Sequence, residues 1–147
     1  MTLVTLMPSG GSRRLSRLYR HLALWVLQSW LAMFYIAAGY AKLTQSQEML
    51  AVLMTWPADA SLHTIRIIGW TELIFAIGVV IPLISWPLFY RVMQVACIGL
   101  MAEATLMAVY HASGQHLGLA LVNAALATMS LVVIMGRVRG KAGPQEP

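Results

Sequence analysis

Hydrophobic positions along this chain come in long unbroken blocks, not in the short alternating runs of a half-buried sheet. Four blocks, residues 22–41, 67–90, 92–110 and 117–136, reach about the length needed to cross a bilayer. None shows a period of two. In hydrocarbon every peptide group must find its hydrogen bond inside the protein, so each block is expected to be a helix. The pattern predicts an all-α integral membrane four-helix bundle. Its helices fall at about 22–41, 65–84, 88–110 and 117–136, within a transmembrane domain covering 21–137. Residues 1–20 are expected as a flexible basic lead-in, because Pro8, Gly10 and Gly11 oppose early order, and 138–147 as a disordered tail.

The connection 43–63 carries a pattern of its own. Met49, Leu50, Leu53 and Trp56 recur at roughly helical spacing after a polar start at Gln45, Gln47 and Glu48, and Pro57 supplies a stop. A short interfacial helix over Ser46–Trp56 is expected in this first outer loop, lying as a lid across the bundle mouth. Asp59 or Ser61 can cap the helix that follows. Ser85-Trp86-Pro87 predicts a tight inner turn and His111–His116 an outer one, while Ala120, Ala124 and Ala127 offer a small-residue stripe.

Composition agrees with a membrane protein. With 59% hydrophobic and 10% charged residues, the chain has too little polar surface to cover a globule in water. The net charge of +5 concerns topology and not nucleic acid. Arg13, Arg14, Arg17 and Arg20 precede the first helix, Arg137, Arg139 and Lys141 follow the last, and Arg91 sits near the inner turn. Eight of the ten Lys and Arg thus fall on one side, which places both termini in the cytoplasm and leaves Lys42 and Arg66 outside. Ser12-Arg13-Arg14-Leu15-Ser16 resembles a twin-arginine export signal, but 22–41 is too long and apolar for a signal core, so the first helix is expected to be retained. The single cysteine, Cys97, excludes an internal disulfide or a CxxC redox pair.

Two acids stand inside the apolar blocks, Glu72 and Glu103. A carboxylate at mid-membrane costs roughly 2.5–3.5 kcal/mol on insertion scales, so something inside the bundle must answer each one. Lys42 closes the first helix, with Gly39 and Tyr35 on its stripe at i−3 and i−7. Glu72 lies about 9 Å below Arg66 on the inward-running second helix. Glu103, Met107, Tyr110 and His111 share a face of the third, and His116 and Asn123 a face of the fourth. All these groups fall in the outer half of the bilayer. Two interpretations stay open. Lys42 and Glu72 can be an ion pair that only fixes helix packing, or part of a ligand pocket. Glu103, with no basic partner of its own, can carry a proton to a ligand or be hydrogen-bonded to Tyr110 or Asn123. The histidines His111 and His116 are expected to be solvated.

Sharper chemistries lack their residues. A di-iron bundle needs Glu-x-x-His pairs, a bis-histidine haem needs facing histidines at matched depth, and no phosphate loop, nucleophile elbow or zinc-protease motif is present. No metal site is expected.

Phe34-x4-Gly39-x2-Lys42, then Gly69-x2-Glu72-Leu73, an apolar Gly78-to-Pro82 run and an Ala-rich third helix ending in Tyr110-His111 together resemble the DoxX-like family of small bacterial membrane proteins. The likeness spans about residues 25–136. It implies a multi-pass protein of the bacterial inner membrane, similar to the membrane subunit of a thiosulfate:quinone oxidoreductase. More distant relatives serve as assembly factors. Gly39, Lys42, Gly69 and Glu72 are the positions the likeness carries, and Glu103 lies outside it. The expectation is an accessory subunit of a quinone-linked or redox-stress oxidoreductase, with a quinone as candidate cofactor. Tyr35, Gly39, Lys42, Gly69, Glu72, Glu103, His111 and Asn123 are the candidate ligand-binding residues. The expected partners are the lipid bilayer, a redox-enzyme subunit and a second copy of the chain. A non-catalytic scaffold and a stand-alone intramembrane enzyme acting on an apolar substrate are the alternatives.

Overall fold

The computed structural model describes residues 10–141, with side chains from Arg14 to Val138. These residues form five helices and no strand: α1 (Gly10–Thr44), α2 (Gln47–Met54), α3 (Leu62–Val80), α4 (Trp86–Ser113) and α5 (Leu117–Lys141). All but α2 are long and apolar enough to span a membrane, and at most 33% of any spanning window is buried within the protein. Much of the rest, including Trp30, Ile74, Val95 and Leu121, is exposed apolar surface and suits lipid. The chain is an all-α membrane bundle.

The inner and outer turns are shorter than the sequence pattern predicts, because Trp86-Pro87 and His111–Ser113 belong to α4, and the largest differences are at the two ends. α1 begins at Gly10, not near residue 22, and its 35 residues extend about 52 Å. That exceeds the roughly 30 Å of hydrocarbon, so the arginine-bearing turns project beyond it as helix instead of as a flexible lead-in. Arginine and leucine favour helix, and extending a formed helix is far easier than starting one. At the other end, Gly136 does not stop α5, which continues to Lys141. A Cβ there would stand 2.6 Å from Leu24 Cδ2; this glycine serves close approach between α5 and α1. The remaining parts of the expected lead-in and tail, residues 1–9 and 142–147, lie outside the described residues.

The other ends follow local chemistry. Pro82 falls in a 3-10 turn, Ile81–Leu83, that closes α3, and Pro87 stands in the first turn of α4, where its missing N–H is not needed. Ser61, not Asp59, caps α3 by accepting from the Thr64 N–H at 3.2 Å. Ser46 caps α2 in the same way from Met49 at 3.3 Å. α2 then drops a fully buried Leu50 against Trp56 and Ile65, which holds it across one end of the bundle. That end is called the loop end below; the opposite one, with Arg17, Arg20 and Arg137, is the basic end.

The main core lies between, where Leu31, Ala76, Met93, Leu100 and Val133 meet from the four long helices. α1 packs closely on α3 and α4 on α5, α3 joins the two pairs, and the α1–α5 seam is the thinnest. Glycine sets the α1–α3 distance. A Cβ on Gly39 would meet the Gly69 carbonyl oxygen at 2.7 Å, and one on Gly69 would meet Lys42 Cβ at 2.9 Å. Backbone cannot yield there as a flexible side-chain tip can. Gly39→Ala is therefore expected to destabilise the protein by about 1–3 kcal/mol, read as a lower melting temperature in detergent. Gly118→Ala, which has nothing within 4 Å of its Cβ, is expected to change it by less than about 0.5 kcal/mol.

Candidate functional site

The two glycines that let α1 and α3 touch also decide where their charges go. Gly39 and Lys42 are three residues apart on α1, as are Gly69 and Glu72 on α3. Because the helices are antiparallel, the stem of each charged side chain lies opposite the other helix's glycine: Gly69 faces Lys42 Cβ and Gly39 faces Glu72 Cβ. The two heads then meet. Lys42 Nζ is 2.7 Å from Glu72 Oε1 and 2.8 Å from Oε2, with the side chains 5% and 4% exposed. It is the sole ion pair among the described residues. Arg66, one and a half turns from Glu72, donates from Nη1 to the Lys42 carbonyl and from Nη2 to that of Gln45 at 3.2 Å. A cation on those last carbonyls suits the negative end of α1 and braces the same junction.

The pair forms one wall of a cavity of about 400 Å³ beneath α2. Tyr35, Lys42, Glu72, Glu103, His111 and Asn123 all line it. Gly39 and Gly69 do not; they lie at the crossing behind the pair. The Tyr35 hydroxyl donates across to the Leu100 carbonyl of α4 at 3.3 Å, locking α1 to α4 at this level. The Glu103 carboxyl lines the same cavity as Lys42 and Glu72, outside their ion pair.

Three expectations about neighbouring groups are corrected. Glu103 is bonded to neither Tyr110 nor Asn123: the Tyr110 hydroxyl donates to Asp59 Oδ2 at 3.1 Å, and Asn123 Nδ2 donates to the Leu119 carbonyl of its own helix at 2.8 Å. Tyr110 consequently does not line the cavity with Glu103, Met107 and His111. Nor is His111 solvated. It is 2% exposed, covered by the loop, with Nδ1 3.3 Å from Thr55 Oγ1. Thr55 Oγ1 also donates to the Met54 carbonyl at 2.7 Å. Thr55 makes this contact from φ 62°, a strained conformation for a β-branched residue. Local sequence does not announce such a turn. His116 is exposed as expected.

The cavity walls are otherwise apolar, with Trp56 and Met54 from the loop above and Ala38, Ala104 and Met107 alongside. Its exposed rim is formed by Phe34 and Ala37 of α1, Leu53 of α2 and Val122 of α5. Chemically the arrangement offers an apolar slot with a donor and two acids at its inner wall.

A second buried polar group went unforeseen. Gln28, fully buried in α1, donates to the Val79 carbonyl at 2.8 Å and accepts from Arg137 Nε at 2.8 Å and also from Nη2. An uncharged glutamine in an apolar block and an arginine just past the last block gave only a faint signal.

The sequence model of the DoxX-like family matches residues 26–133, a stretch that includes every residue lining the cavity. No curated protein and no solved structure matches the chain.

Removing Glu72 alone would leave a buried ammonium facing only Glu103. Glu72→Gln is expected to cost roughly 3–5 kcal/mol of stability, measured by thermal unfolding in detergent. Lys42→Met with Glu72→Leu should recover most of that loss. A double variant as unstable as the single one would show that the pair is not what the crossing depends on.

Proposed function

The chain belongs to the DoxX-like family, and from that premise we propose that it is an accessory subunit of a quinone-linked or redox-stress oxidoreductase in the bacterial inner membrane. The observation that carries this reading is the single cavity shared by Tyr35, Lys42, Glu72, Glu103, His111 and Asn123. Its volume lies within the range of small-ligand sites, and its chemistry suits a quinone headgroup. An ammonium has three hydrogens; with two directed at the Glu72 oxygens, the third can meet a ligand carbonyl. Asn123, whose Nδ2 is occupied within its own helix, can offer its amide oxygen. Glu103 is the acid that can hold or pass a proton, and the alanines and methionines exclude water around a flat apolar ring. A quinone, when bound, would supply the electron-accepting chemistry; the residues of this chain bind it, orient it and manage a proton.

The test is equilibrium binding of a short-chain ubiquinone to protein purified in detergent. Lys42→Met with Glu72→Leu, which should keep the fold, is expected to weaken binding roughly tenfold or more. Unchanged binding would remove the site assignment.

A second reading is a non-catalytic scaffold, favoured by one observation: Lys42 and Glu72 satisfy each other while almost wholly buried. On that reading Glu72→Gln lowers stability, yet any partner complex that still forms keeps full activity.

The charge bias further supports a loop end facing the periplasm and a basic end facing the cytoplasm. Alkaline phosphatase fused after residue 60 is expected to be active, and the same reporter fused after residue 141 inactive.

A further inference from the structure

The basic end holds a cavity of about 480 Å³, bordered by Arg17, Arg20 and His21 of α1, Trp86 of α4, and Gly136 and Arg137 of α5. Arg137 is 4% exposed. Its guanidinium stands 4.7 and 4.8 Å from the ring centres of Trp25 and Trp86, and its hydrogen bonds go to Gln28 and to His21. None of these partners carries a negative charge. Among the described residues no acid lines the cavity, and their one ion pair is at the other end. A buried cation without a counter-charge is expensive, and amide oxygen and indole faces offset only part of that cost.

His21 sharpens the deficit. Trp25 Nε1 lies 3.0 Å from its Nε2, and Arg137 Nη1 lies 3.1 Å from its Nδ1. Indole and guanidinium only donate, whereas a neutral imidazole has one accepting nitrogen. Two donors therefore converge on one acceptor, and whichever meets the ring N–H lacks a partner. An anionic oxygen in the cavity would take that surplus donor. Arg17 and Arg20, both exposed on the cavity wall, can close on the same group from the open side.

We infer that this cavity binds a phosphate group, with Arg17, Arg20 and Arg137 as its ligands. Guanidinium forks match the spread oxygens of phosphate. The cavity also lies at the depth where phosphate is abundant, since Arg137 is one residue from the end of its span and His21 about two turns from the start of α1's. Basic pockets between membrane helices hold anionic headgroups by this chemistry. The source is either the phosphodiester of an anionic phospholipid or free phosphate. The site is separate from the loop-end cavity and does not rest on its reading.

The full chain in phosphatidylcholine nanodiscs, titrated with phosphatidylglycerol and followed by native mass spectrometry, tests this. Retention of a single phosphatidylglycerol per protomer is expected, weakened roughly tenfold in Arg17→Gln/Arg20→Gln. Those side chains are exposed, so the variant should fold even if Arg137→Gln does not. Arg14→Gln/Arg91→Gln, which removes two exposed charges outside the cavity, should leave retention unchanged. Displacement by inorganic phosphate would identify the free anion as an occupant; resistance to it would assign the site to lipid. Retention that never saturates, or that falls equally in both double variants, would overturn the site in favour of general surface charge.

Discussion

A lysine and a glutamate, facing each other across a backbone contact of two glycines, hold this bundle in register. Their side chains would be ruinous if separated, because each would leave a charge in hydrocarbon with nothing of opposite sign. Their closeness depends on Gly39 and Gly69, since any Cβ there would push α1 and α3 apart. Once the pair is formed, the level of everything near it follows. Tyr35 reaches Leu100, Glu103 joins the pair in lining one cavity, and Arg66 ties the end of α1 to the start of α3.

The two ends of the molecule solve the problem of buried charge differently. At the loop end, cation and anion compensate each other, α2 and Trp56 roof the space, and a strained Thr55 brings its hydroxyl to His111. At the basic end the buried charge among the described residues is Arg137, with amide, imidazole and indole as its company. Gly136 is central to that arrangement because it allows α5 close enough to Leu24 for the arginine to reach Gln28. Polarity in this protein is thus concentrated in two small places, separated by a core of Leu31, Met93 and Leu100.

Much of this was legible in the chain. Four apolar blocks imply four spans, and a lysine and a glutamate at the same level allow an ion pair between the first two, though not the glycine crossing behind it. The shared stripe of Glu103, Met107 and His111 was equally readable, as were Ser61 as a cap and the short helix after Ser46. What escaped was set by contacts between distant segments. His111 is buried because a loop more than fifty residues earlier folds over it, and periodicity along α4 carries no trace of that. Tyr110 turns away because Asp59 happens to lie beside it. Helix ends escape the hydrophobic pattern because a helix can outlast the membrane. Arg137 looked like a topological marker, since charge counting ignores whether an arginine points outward or back into the bundle.

The thin seam between α1 and α5 has one more implication. Phe34, Ala37 and Val122 make the rim of the loop-end cavity where those helices part, and that rim borders acyl chains, not water. A molecule reaching Lys42 and Glu72 by this route travels sideways, having first dissolved in the bilayer. Occupancy would then track membrane partitioning: a greasy compound with modest intrinsic affinity can outcompete a better-matched polar one that never accumulates in lipid.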